Sequence, residues 1–150
     1  MRVAVGFDHR GVKLREAVLE ALAADGHEAV DVGVETDAVR VDYPVKAAEV
    51  GTAVLEGRAE RGVLVCGSGV GASVAACKLR GIRAAICHDS YSAHQGVEHD
   101  DMNVLCLGSE IVGASLAREL VRTFLGARFA AEGRYLERLN MVEELEARDG

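Results

Sequence analysis

The chain has 150 residues, 49% of them hydrophobic but only 4% aromatic, and a net charge of −7, which suits one domain with a core of Val, Leu, Ile and Ala. The acidic balance and the absence of a basic stripe exclude general nucleic-acid binding, which needs clustered cations to release counterions. A small phosphorylated ligand is not excluded, because a few local cations and backbone amides suffice for it.

In chain order, short β-branched runs alternate with longer amphipathic stretches. Strands are predicted at 2–7, 28–32, 61–66, 82–87 and 103–108. Helices are predicted at 13–24, 44–56, 69–79, 92–98 and 111–125, with a last one at 133–147. This alternation reads as right-handed crossovers in a Rossmann-like, doubly wound, open parallel sheet of about five strands. No linker, repeat or low-complexity tract divides it, so residues 1–150 are expected to form a single domain with a C-terminal helix. The chain opens directly on the first strand, with no targeting pattern and no apolar run of membrane length. A cytoplasmic location without membrane contact is the expectation. Cys66, Cys77, Cys87 and Cys106 have no CxxC or Cys/His ligand spacing, so neither a disulfide nor a metal is expected.

Ligands of such sheets sit outside the carboxyl ends of the strands. The most informative strand end is Cys66-Gly67-Ser68-Gly69-Val70-Gly71, where a buried strand ends in a thiol and a glycine-rich turn opens a helix. Such glycines let the backbone approach a ligand, and a helix amino end presents free N–H groups to negative charge and favours a thiolate. A tight turn beside a buried cysteine would need fewer glycines. No Lys precedes the Ser as in a Walker loop, Ala72 stands where a phosphatase loop has Arg, and a receiver domain would place Asp at Cys66. Gly67, Gly69 and Ala72 do fit the dinucleotide fingerprint, but that reading leaves Cys66 without a task.

Asp8 and His9 follow the first strand; Asp8 suits a helix cap, and the pair suits sugar hydroxyls or a phosphate. His99 ends a short helix and is a natural proton carrier near neutrality, while Asn103 opens the fifth strand and can anchor hydroxyls or cap the loop. Arg134 and Arg138, four apart, share a helix face turned away from the stripe Leu136, Leu139, Val142 and Leu145. That places them either in solvent or against a phosphate at a subunit boundary.

Together these segments, with Asp42-Tyr43-Pro44, Gly81-Ile82-Arg83-Ala84 and Tyr91-Ser92-Ala93, resemble the B-type ribose-5-phosphate isomerases and the related galactose-6-phosphate isomerase subunits over nearly the whole chain. The resemblance implies a cofactor-free and metal-free aldose–ketose isomerase working through a cis-enediolate. It makes Cys66 the base, Ser68 a nearby hydroxyl, and His99 the group that opens the sugar ring. Asp8, Tyr43 and Asn103 would contact substrate, His9, Arg134 and Arg138 its phosphate, and the amides of Gly67, Gly69, Val70 and Gly71 the enediolate oxygen. It also implies sites shared within a homodimer, with a tetramer as the alternative assembly. Glu110 and Tyr135 depart from the family pattern, which often has Arg and His there. Those departures leave open a hexose 6-phosphate or a tetrose phosphate as substrate in place of ribose 5-phosphate. A nucleotide-dependent oxidoreductase and a non-catalytic sugar-phosphate sensor are the more remote alternatives.

Overall fold

The computed structural model describes residues 1–148. Its sheet comprises β1 (Arg2–Phe7), β2 (Glu28–Asp31), β3 (Arg61–Cys66), β4 (Ala84–Ile86) and β5 (Val104–Gly108), all parallel, in the order β2-β1-β3-β5-β4. The order turns back between β1 and β3, and a crevice forms beyond their carboxyl ends at such a reversal. The register Phe7↔Val65 brings those two ends level, so Asp8 and Cys66 emerge side by side.

The period of two along buried strands divides the core in two. Val3, Val5, Phe7, Val63, Val65, Leu105 and Leu107 point to one face. They pack there against α1 (Arg15–Ala24), α4 (Ser90–Asp100) and α5 (Ala114–Gly126). Ala4, Leu64, Cys66, Val104 and Cys106 point to the other, beneath α2 (Tyr43–Leu55) and α3 (Val70–Ala76). Burial pushes the Cys87 thiol up to about 11, with the Asp89 charge adding to it, and burial pushes Cys106 up well above the usual range. Both are packing residues by that measure.

Three expectations need correction. The helix expected at 69–79 ends at Ala76, because the amides of Lys78 and Leu79 bond to carbonyls three residues back and tighten the chain into a turn. The strand expected at 82–87 is only three residues long, since the Asn103 side chain accepts the Arg83 N–H that a strand partner would otherwise take. The stripe on α6 (Gly133–Ala147) is not a core face: Leu139 alone is buried, at 8% exposure, while Leu136, Val142 and Leu145 are exposed. Among the described residues no helix is long and apolar enough to cross a membrane.

Candidate functional site

Asp8, His9, Arg10, Arg40, Val41, Asp42, Tyr43, Cys66, Gly67, Ser68 and Gly71 line a cleft of about 250 Å³ at the reversal point. Its floor is the Cys66 turn. Parity along β3 would bury Cys66 with Leu64 under α2 and α3, yet it is the last residue of the strand, so its sulfur reaches the cleft at 5% exposure. Gly69 caps α3 with φ +82, a left-handed conformation that suits glycine, and its N–H donates to Cys66 Sγ over 3.1 Å. The Ser68 hydroxyl accepts the Val70 N–H at 3.3 Å. The N–H groups of Ser68 and Gly71 meet no acceptor among the described residues and remain available to a ligand.

Asp8 is only 5% exposed, and one carboxylate oxygen accepts the N–H groups of Arg10 (3.0 Å) and Gly11 (2.8 Å). It therefore caps the 3-10 turn Gly11–Leu14 and borders the cleft at once. His9 Nδ1 lies 3.1 Å from the Val41 carbonyl oxygen and 3.3 Å from its nitrogen, tying the 32–42 loop to the cleft wall. The Tyr43 ring lies against Gly71, where an added Cβ would come within 2.6 Å of the ring.

Arg10 and Arg40 were not legible as site residues. The Arg10 guanidinium lies over Gly67, with Cζ 2.3 Å from where a Cβ would stand. Neither Arg10 nor Arg40 has a carboxylate partner among the described residues, whereas Arg15, Arg58, Arg83, Arg118 and Arg122 all do. The Glu110 carboxylate is engaged by Lys13 at 2.7 Å, whose hydrogen bond and charge hold it below the usual carboxylate range. The position of Arg10 beside His9, just past a strand end, is the one signal that could have marked it.

The remaining expected residues lie elsewhere. His99, in the last turn of α4, stacks on Tyr135 with ring centroids 4.4 Å apart. Arg134 lies over the same Tyr135 ring, and Arg134 and Arg138 have no carboxylate partner among the described residues. This group is at the amino end of β5, and Val104 there pairs with Gly62, the second residue of β3. Four residues of strand, roughly 13 Å, separate that level from Cys66. Asn103 belongs to this end too, and its amide engages backbone there: it accepts the Arg83 N–H (2.8 Å) and donates to the Gly81 carbonyl (2.9 Å). One chain thus gathers Cys66, Ser68, Asp8, His9, Tyr43 and the turn amides, and keeps His99, Arg134 and Arg138 apart from them.

Comparison with known proteins identifies the family. A family model described as Ribose/Galactose Isomerase matches residues 3–142. The chain is 40% identical to "Ribose-5-phosphate isomerase B" of Escherichia coli, over 98% of this chain and 97% of that one. It is 37% identical to "D-erythrulose-4-phosphate isomerase 2" of Mycolicibacterium smegmatis, over 95% of each chain. Among solved structures, ribose-5-phosphate isomerase B of Clostridium thermocellum superposes with a TM-score of 0.95 at 39% identity, covering 100% of both chains. The chain belongs to the ribose/galactose isomerase family.

Proposed function

We propose that this family member interconverts an aldose phosphate and its ketose, with ribose 5-phosphate to ribulose 5-phosphate as the leading reaction. The observation that carries the reading is the Cys66 sulfur at the cleft floor, 3.1 Å from the Gly69 amide nitrogen and surrounded by hydroxyl-binding groups.

The Cys66 thiolate takes the proton from C2 of the open-chain aldose. The freed electron pair becomes the C1–C2 double bond, and the carbonyl oxygen O1 takes the negative charge of a cis-enediolate. The thiol then returns its proton to C1, while the hydrogen on O2 passes to O1 by way of the Ser68 hydroxyl and leaves a ketone at C2. Fixed donors facing the developing charge lower the barrier, and the free amides of Ser68 and Gly71 can serve as such donors. Asp8 and Tyr43 hold hydroxyls, and His9 binds the phosphate end. No step calls for a metal or a cofactor.

His99, Arg134 and Arg138 would enter this cleft from a second copy of the chain, His99 to open the sugar ring and the arginines to bind phosphate. Two features support a homodimer with shared sites: Arg134 and Arg138 have no carboxylate partner among the described residues, and Leu136, Val142 and Leu145 beside them are exposed. An aldose-phosphate panel, run with EDTA present and followed for ketose formation, tests the reading. Turnover of one sugar that vanishes in Cys66→Ala is expected; binding without turnover would make the protein a sensor, and full activity in Cys66→Ala would remove the proposed base.

A further inference from the structure

A second turn, at 108–110, grips the Cys66 turn from below. The Ser109 N–H donates to the Cys66 carbonyl at 2.8 Å, and the Glu110 N–H donates to the Gly67 carbonyl at 3.0 Å. Gly108 packs backbone to backbone on Ser68, where a Cβ would come within 2.7 Å of the Ser68 carbonyl group. Ser109 Oγ also donates to the Arg10 carbonyl at 2.7 Å, which extends the grip to the Asp8–Arg10 segment.

The first residue of this turn is held from the side by one imidazole. Just past β4, His88 accepts the Gly108 N–H on Nε2 at 3.0 Å. This requires the neutral ring with its proton on Nδ1. The chemistry proposed above makes no use of His88.

We propose that His88 is a positioning residue for the isomerase reaction: its neutral ring holds the 108–110 turn, which in turn aims Cys66 and Ser68, and protonation of the ring releases that hold. This rests on the reading of Cys66 as the base. A protonated Nε2 would point an N–H at the Gly108 N–H, donor against donor, so the bond would be lost. Burial already holds His88 below its ordinary value of 6.5, with the Asp89 carboxylate partly opposing the shift. The neighbouring carboxylates are engaged by other groups. Asp89 is engaged by the Ser92 N–H at 2.7 Å, Glu110 by Lys13, and Glu119 by the Ser90 hydroxyl at the start of α4. Towards His88, β5 presents the Gly108 backbone.

The test compares wild type with His88→Gln, which keeps an acceptor that does not titrate, and His88→Leu, which has none. Two quantities are followed against pH: kcat with the active sugar phosphate, and the rate of Cys66 alkylation by iodoacetamide, resolved by peptide mass spectrometry. In the ratio of wild type to His88→Gln, groups common to both proteins cancel. That ratio is expected to be flat above about pH 7 and to fall about threefold or more by about pH 5. His88→Leu is expected to lose about fivefold or more in kcat at neutral pH with KM little changed. A ratio flat throughout that range in both measurements overturns the proposal, as does wild-type kcat in a folded His88→Leu. Should His88→Leu fail to fold, the His88→Gln ratio decides alone. Because alkylation needs no substrate, it reports on His88 even if Cys66→Ala proves that the base lies elsewhere.

Discussion

The two ends of the sheet differ in how complete they are. At the carboxyl end, Asp8 is buried and hydrogen-bonded, the Cys66 turn is gripped by residues 108–110, and Tyr43 is seated against Gly71. At the amino end, α6 buries Leu139 alone, the His99 ring rests on Tyr135, and Arg134 and Arg138 have no carboxylate partner among the described residues. The first end is preorganised by its own chain. The second has its charges in place but its apolar side chains uncovered, the condition of a surface completed by association. On the proposed function, chemistry that must be aimed is built into one chain, and charge that needs only to be near would come from a second copy.

That contrast can be broken most forcefully at the thiol. Cys66→Ala is expected to lower kcat about a thousandfold or more, the scale of a lost general base, with the fold intact by circular dichroism. Mixing it, after unfolding and refolding, with an equally inactive His99→Asn chain sharpens the comparison. If the two ends meet across subunits, half of the random dimers carry one intact site, and about a quarter of wild-type activity returns. No recovery would mean that each chain works alone. Next in size, Arg134→Ala and Arg138→Ala are each expected to raise KM about tenfold with kcat nearly unchanged, since they remove ground-state phosphate binding. A fall in kcat at constant KM would contradict that role. The smallest effect belongs to the preorganised end: Asp8→Ala is expected to cost about 1 kcal/mol of folding stability through the lost cap, measured by urea unfolding, besides weakening substrate binding.

How far the sequence reveals each end follows the same division. β1 and β3 were legible to the residue because they are buried on both faces and end at polar, chemistry-bearing positions, Asp8 and Cys66. α6 was legible as a helix, but its apolar stripe misled, because periodicity says that a face is buried without saying by what. Asn103 was ambiguous for a different reason: an amide at a strand start can serve substrate or backbone, and its bonds to Arg83 and Gly81 join positions that no local pattern links. Arg10 and Arg40 were missed since loops carry no period, and the His88–Gly108 bond joins positions twenty residues apart that no local pattern links.

The pairing of the arginines has a consequence for how substrate arrives. A chain of net charge −7 should repel a sugar phosphate at long range. Yet Arg15, Arg58, Arg83, Arg118 and Arg122 are paired with neighbouring carboxylates, whereas Arg10 and Arg40 at the cleft and Arg134 and Arg138 at the other end are among the arginines with no carboxylate partner among the described residues. Within a Debye length of about 8 Å at physiological salt, an approaching anion senses those local cations and little of the distant acidic surface. The cleft thus offers an anion the guanidinium groups of Arg10 and Arg40 at short range although the chain as a whole is acidic.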